Sequence, residues 1–382
     1  MITRSKEFIY QVITSIHDGL IEYRRWKCLK KPISSTPRVY YGYEQLPSRT
    51  GKTAGGIIKC QDLEMVLPNH PQDPRLLYLV SSALPRHPVL MAYLAKRSGA
   101  PFVLNQDGVA YKAWHGPGWE RANEPMRRLV HAADYVFYQR AFSKRSADRF
   151  LGERRERWEI LYNPADTSVF VPSAIPQPVA PFRLLVSGSH HENYRVQRAV
   201  ETLSRLCRDG LDARLIIAGR LLWRSRPEES LRELHSWIEN QGVIDNVEII
   251  GPYPQSAAPA LMQSAHLLLH LKYNDPCPRV VVEAMACGLP IVYSASGGVP
   301  ELVGDDAGIG LPAPEDYERM HLPEPEALTE AVWRIYHDHG RFSAAARLRA
   351  VEQFDLRPWI ERHEEIFAEL LSGGLCCLKS PC

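Results

Sequence analysis

Apolar positions along this chain follow two rhythms. Short runs of strand length, at residues 39–43, 76–80, 101–104, 135–138 and 159–162, alternate with stretches in which apolar residues recur three and four apart, at 57–66, 88–97, 120–132 and 143–150. The short runs predict buried strands and the longer stretches predict amphipathic helices. Their alternation predicts a parallel sheet wound with helices. A Pro-rich stretch at 171–181, VPSAIPQPVAP, interrupts the pattern before a second series begins. Strands are predicted there at 182–187, 214–218, 247–250, 265–271 and 291–294, with helices at 193–208, 227–241 and 279–286. Helices near 325–337, 342–353 and 357–371 follow. The expected fold class is α/β, with two doubly wound, Rossmann-like domains facing across a cleft. Residues 35–172 would form the first and 182–356 the second. A helix at 357–372 would cross back to the first domain, and 373–382 would form a flexible tail.

The N-terminal segment, residues 1–34, stands apart. Phe8, Ile9, Val12, Ile13, Ile16, Leu20 and Ile21 recur at helical spacing, and Arg24, Arg25, Trp26, Lys27, Lys30 and Lys31 follow at once. Two readings fit. An amphipathic helix with a basic, aromatic flank suits a membrane surface, touched through residues 4–31. The same stripe also suits a leading helix packed on the first domain.

Composition narrows the class. With 45% hydrophobic and 24% charged residues in 382, the chain has ample material for two cores. A net charge of +2 supplies no field that argues for nucleic acid as a partner. Cysteines at 28, 60, 207, 277, 287, 376, 377 and 382 show no CxxC or His/Cys metal spacing, so no metal site and a reducing compartment are expected. No apolar run approaches the roughly 18 residues of a membrane span, and no signal-peptide arrangement is present. A cytoplasmic location is expected, peripheral on the inner face of the membrane if the first reading of the N-terminal helix holds.

The chemistry concentrates at residues 274–303, NDPCPRVVVEAMACGLPIVYSASGGVPELV. Asp275 and Glu283 bracket a helix start at Pro278, suited to the first helical position because the missing N–H is not needed there. Gly288 marks the helix end, and the turn Gly297-Gly298 with Val299 leads into a second helix near Pro300. Both loops would lie at the carboxyl ends of parallel strands, where open α/β sheets bind ligands. Two helix N-termini facing one crevice suit phosphate or sugar oxygens.

These residues resemble a known pattern. Residues 182–312 are similar to the C-terminal domain of GT-B glycosyltransferases, in particular the large family four, group 1. The similarity rests on an acid, seven residues and Glu (Asp275 to Glu283), followed by EAMACGLPIV and GGVPELV. Weaker similarity reaches the N-terminal half through NPADTSVF at 163–170. The resemblance implies that Glu283 binds the ribose hydroxyls of a nucleotide, and a carboxylate can accept from both. It implies that Asp275 holds the place of the acid that reaches the donor sugar, one methylene shorter than usual. Gly188, Ser189, Lys272, Cys277, Pro278, Arg279, Gly297, Gly298 and Val299 would line the donor site.

The chain also departs from the family. Pro276-Cys277-Pro278 replaces the usual Gly-Phe-Gly, which removes backbone donors. The first loop of this domain, SGSHHENYR at 187–195, lacks the Arg that usually follows the glycine, and Arg195 falls near the position of the usual lysine. Arg195, Arg220 and Lys272 are the candidate cations for a diphosphate. On the acceptor side, Gly55 and Gly56 suit a flexible first loop, while Asp107 and His115 would face the cleft, Asp107 as a base if the reaction inverts. The stretch SRTGKT at 48–53 is not a convincing P-loop, because the glycine that motif requires would fall at Leu46.

The resemblance implies transfer of a sugar from a nucleotide-diphosphate sugar to a hydroxyl of a glycan, lipid-linked glycan or similar acceptor. Configuration would be retained, with no metal and no cofactor beyond the donor substrate. A nucleotide-sugar epimerase or hydrolase on the same fold is the alternative, with a P-loop-type NTPase behind it.

Overall fold

The computed structural model describes residues 17–27, 37–49, 55–175, 178 and 180–373. The apolar stripe before residue 17, residues 50–53 of SRTGKT and the tail beyond Gly373 lie outside the described residues. In the first half, β1 (Val39–Tyr40), β2 (Leu76–Val80), β3 (Phe102–Gln106), β4 (Tyr135–Tyr138) and β5 (Trp158–Ile160) form one parallel sheet in the order β1-β2-β3-β4-β5. The β1 strand is shorter than its apolar run. Tyr41 turns its N–H to Asn69 Oδ1, and Gly42 takes a positive φ of 85°.

Side chains alternate between the two faces of this sheet. Leu77, Leu79 and Leu104 pack beneath the helices Pro88–Arg97, Trp119–Ala132 and Ala141–Leu151. Leu76, Tyr78, Val80 and Phe137 pack on the other face against the helices Gly55–Glu64 and Leu356–Leu371. The latter helix is the C-terminal one. It starts where the Asp355 carboxylate accepts from the Arg357 N–H, then lays Trp359, Ile360, Ile366 and Phe367 on the first sheet.

The second sheet contains β6 (Phe182–His190), β7 (Ala213–Leu221), β8 (Val247–Ile250), β9 (Leu267–His270), β10 (Ile291–Ala295) and β11 (Gly308–Pro312), in the order β11-β10-β9-β6-β7-β8. The winding direction therefore reverses between β6 and β9. These strands pair only at Leu184–Leu267 and Leu185–Leu268, while β6 and β7 stay paired as far as His190–Leu221. Beyond Leu185 the sheet splits, and a crevice opens at the carboxyl ends of its strands. Both β6 and β7 run three residues past their apolar cores because Gly188 and Gly219 sit side by side, with φ of 120° and 113°. A Cβ on Gly219 would lie 1.9 Å from the Gly188 carbonyl oxygen, so only glycine fits.

The chain crosses between the halves twice, at adjacent places. Ala165 N donates to Phe354 O at 2.8 Å, and the Arg347 guanidinium binds the carbonyls of Phe170, Ala286 and Thr167.

Residues 17–27 are helical, and their basic, aromatic end is folded into the first domain. Trp26 is 2% exposed, packs near Tyr40 and donates from its indole nitrogen to Glu22. Arg25 lies 4.2 Å over the Tyr40 ring and pairs with Glu22 at 3.3 Å. Arg25 and Trp26 are thus withdrawn from solvent, whereas Arg24 and Lys27 of the same basic flank stay exposed. Leu20, Ile21 and Tyr23 remain exposed. No helix among the described residues is long and apolar enough to cross a membrane.

Candidate functional site

Asp275 lies in the loop after β9, on one lip of the crevice. Its carboxylate accepts from His270 Nε2 at 3.2 Å and pairs with Lys272 Nζ at 3.3 Å. Burial works to raise this carboxyl, but Lys272 and His270 outweigh it and hold it well below the usual carboxylate range. Burial pushes His270 down, so the ring is neutral at pH 7 and donates one N–H to the acid. The loop is pinned from beneath. Asn274 adopts a positive φ of 47°, and its N–H and side-chain nitrogen go to Ser296 Oγ and Asp316 O.

The Gly297-Gly298 turn serves this pinning. Gly298 N donates to Asp275 O at 2.9 Å. A Cβ on Gly297 would meet the Asn274–Asp275 backbone at 2.6 Å, and one on Gly298 would meet Arg140 Cδ at 2.1 Å. Val299 is fully buried. Of the three residues expected at the donor, Gly297 and Gly298 have the space beside their Cα atoms filled, and the Gly298 N–H is taken by the acidic loop. Pro278 precedes the helix Arg279–Ala286 as an extended cap residue instead of opening it.

Glu283, on that helix, is buried but borders a pocket of about 170 Å³ with Gly188, Ser189, Arg220 and Tyr253. Tyr253 meets Ser187 Oγ at 2.6 Å. Burial raises the Glu283 carboxyl, and Arg279 offsets part of that rise. Arg279 Nε donates to Glu283 Oε1 at 2.8 Å, and its other arm reaches Asp62 of the first domain at 2.6 Å. The Asp62 carboxylate is also held by Arg49 at 2.8 Å. Arg279 thus ties the acid expected to face the ribose to the opposite wall of the cleft, which its place in the motif did not reveal.

The three candidate cations differ in availability. Arg195 is buried and spends its guanidinium on the carbonyls of Ser189 and Ser187, where it braces the end of β6. Arg220 is exposed, with one bond to Ser189 Oγ at 3.0 Å. Lys272 is partly exposed beside Asp275. All three bear on His191, which burial and then Lys272, Arg220 and Arg195 push below its ordinary value. Three positive side chains therefore gather around the loop at Gly188, although the usual arginine is missing from it.

Across the cleft lies a second cavity, of about 510 Å³. Gly55, Gly56, Asp107 and His115 line it together with Lys272, Cys277 and Arg279. Gly55 and Gly56 are not a flexible loop but the first turn of a helix. A Cβ on Gly56 would lie 2.7 Å from Ala83 Cβ, so the glycine permits close packing of helix on loop. Asp107 pairs with Lys59 at 2.6 Å and also accepts from Gln139 and Ser82. His115 is exposed on the short helix Lys112–His115.

Two groups from the first domain grip the donor-side loop. Arg140, fully buried, donates from Nε to Pro276 O at 3.1 Å and lies 3.3 Å from Cys277 Sγ. Asn163 Nδ2 donates to Cys277 O at 3.2 Å. In the other direction, the Glu301 carboxylate accepts the N–H groups of Ala141 and Phe142 at 2.9 Å each, capping a helix of the opposite domain. None of His270, Arg140, Asn163 or Asp62 stands out in the sequence. Only the NPADTSVF match came near Asn163, and His270 reads there as the end of an apolar strand.

Comparisons with known proteins agree with this geometry. Residues 173–347 match the family described as glycosyl transferases group 1. The phosphatidylinositol N-acetylglucosaminyltransferase gpi3 subunit of Schizosaccharomyces pombe is 23% identical over 192 residues, which are 50% of this chain and 38% of that protein. The GDP-mannose-dependent alpha-(1-6)-phosphatidylinositol dimannoside mannosyltransferase of Mycobacterium tuberculosis is 32% identical over 157 residues, 41% of this chain and 36% of that protein. The chain spans between about a third and two fifths of the length of the curated relatives it matches. In three dimensions it is similar to Anabaena HepE, solved in complex with UDP, with a TM-score of 0.62 at 21% identity, covering 78% of this chain and 79% of that one. The shared fold is GT-B.

Proposed function

We propose, from the match of residues 173–347 to the glycosyl transferases group 1, that the chain transfers a sugar from a nucleotide-diphosphate sugar to an acceptor hydroxyl, with retained configuration and without a metal. One observation carries the reading: Arg279, which lines the larger cavity, is bonded to Glu283, which borders the small pocket, so the two spaces adjoin across one side-chain pair. A donor seated with its ribose on Glu283 and its diphosphate under Arg220 and Lys272 brings its sugar to Asp275, facing whatever fills the second cavity. Asp275, held ionised by Lys272 and His270, orients the sugar and stabilises positive charge developing at its anomeric carbon. The glycosidic bond to the diphosphate breaks as the acceptor oxygen bonds to the same carbon, and the acceptor's hydroxyl proton passes to the departing diphosphate oxygen. Arg220 and Lys272 offset the charge left on the leaving diphosphate.

The grip of Arg140, Asn163 and Glu301 closes the two halves over the reacting atoms, which excludes water and disfavours hydrolysis. The relatives are named for GDP-mannose and for N-acetylglucosaminyl transfer, and HepE was solved with UDP, so UDP- and GDP-sugars are the donors to try first. Exposed Leu20, Ile21 and Tyr23 offer an apolar face for peripheral membrane contact.

The test is product analysis by mass spectrometry with UDP- and GDP-sugars and a set of hydroxyl acceptors. A glycosylated acceptor, formed together with free UDP or GDP, supports the proposal. Free sugar or an epimerised donor whether or not acceptor is added would replace it with the hydrolase or epimerase alternative.

A further inference from the structure

The helix Gly55–Glu64 belongs to the first domain but reaches both spaces of the cleft; the inference drawn from it rests on the transferase reading. Gly55, Gly56 and Lys59 line the larger cavity, and Ile58 lines the small pocket that Glu283 borders. Asp62 lies one helical turn beyond Ile58 and so shares its face of the helix. There its carboxylate meets Arg279 of the second domain at 2.6 Å.

The helix is fixed to its own domain. Lys59 pairs with Asp107 at 2.6 Å and donates to Asn105 Oδ1 at 3.1 Å, while Cys60 and Leu63 pack into the core of the first sheet. Asp62 is 1% exposed, and its other oxygen is held by Arg49 at 2.8 Å. Asp62 therefore moves with the first domain. Arg279 and Glu283, four residues apart on one helix, move with the second.

One buried guanidinium thus serves two buried carboxylates. Arg279 Nε donates to Glu283 Oε1 at 2.8 Å, and Arg279 Nη1 donates to Asp62 Oδ2 at 2.6 Å. An arginine facing a single carboxylate tends to fork onto it with two parallel N–H bonds. Here Glu283 receives one such bond, because Asp62 draws the guanidinium across the cleft. Among the described residues, no group donates to Glu283 Oε2, and a carboxylate has acceptor capacity on both oxygens. Without the charge of Asp62, Arg279 and Glu283 would form a self-sufficient pair, and the acid would have less to offer a hydroxyl.

We propose that Asp62 is a positioning residue for the donor: it holds Arg279 across the cleft, keeps it from forking onto Glu283, and so leaves Glu283 available to the ribose hydroxyls.

The test compares the full-length wild type, Asp62→Asn, Glu283→Gln and the double variant by calorimetry with UDP and with GDP. Asp62→Asn keeps the size of the side chain and removes its charge; it should raise the nucleotide Kd roughly tenfold, the scale of coupling within one ion-pair network. In the Glu283→Gln background the same change should move Kd by less than about twofold, because Asp62 acts through Glu283. A loss of equal size in both backgrounds would show that Asp62 only supports the fold. An unchanged Kd in Asp62→Asn would remove its role altogether. Should the melting temperature show Asp62→Asn to be unfolded, Arg279→Lys replaces it: a lysine keeps the charge but lacks the planar fork that reaches both acids. Arg279→Lys should weaken the nucleotide by a similar factor, and wild-type affinity there would overturn the proposal. Each contrary result defeats this inference alone as long as Glu283→Gln itself weakens the nucleotide. A Glu283→Gln protein that binds as tightly as wild type defeats the ribose assignment, and a wild type that binds neither nucleotide defeats the transferase reading; the inference falls with either.

Discussion

Replacing Glu283 by alanine removes the one carboxylate that lines the small pocket among the described residues while leaving its walls in place. The residue is 8% exposed, and its Oε1 already accepts from Arg279 at 2.8 Å, so a ribose shares that oxygen and takes the other one outright. A hydrogen bond to a charged group contributes about 1.5–3 kcal/mol. With one oxygen shared, the ribose loses roughly 2–3 kcal/mol in the variant, which is about 30- to 150-fold in Kd. The fold should survive, because Arg279 keeps Asp62 at 2.6 Å and is not left as an unpaired buried charge. Isothermal titration calorimetry with UDP and GDP, on wild type and variant, measures the difference, and the melting temperature of each protein confirms that both are folded. A Kd that moves less than about threefold in a folded variant would refute the ribose assignment.

Three further outcomes follow from the geometry. Arg140→Ala strips Pro276 O and Cys277 Sγ of their cross-domain donor; it should lower kcat at least tenfold while changing nucleotide Kd little, and equal losses in both would show that the residue only supports the fold. His190 and His363 are held neutral by burial, each with its pKa pushed down to about 3. Their folded pKa values lie below the unfolded value near 6.5, so the stability they contribute is complete above about pH 6.5 and is lost as pH falls towards 3. At pH 5 the cost is about 2 kcal/mol per ring; a melting temperature unchanged between pH 7 and pH 5 would contradict this. Replacing Leu20 and Tyr23 by serine should reduce co-sedimentation with anionic vesicles without lowering the melting temperature, and unchanged sedimentation would remove the membrane-facing role of this helix.

The alternating rhythms of the chain determined the number and kind of elements, because strand and helix impose different periods on residues that must be buried. The second-domain segments 182–187, 214–218, 247–250 and 279–286 were legible to within a few residues, and so was the neighbourhood of Asp275 and Glu283. Local pattern carries that information because it is written in neighbouring residues. The strand order β11-β10-β9-β6-β7-β8, which splits the sheet beside Asp275, depends on crossovers that no local pattern encodes. The pairings of Arg279 with Asp62, of Arg140 with Pro276 and of Glu301 with the helix at Ala141 join residues more than a hundred positions apart. Each became visible only when the two halves were brought face to face. The glycines at 297 and 298 show the limit from the other side: the sequence marked a turn, and only tertiary packing showed that this turn lies against the backbone of the acidic loop.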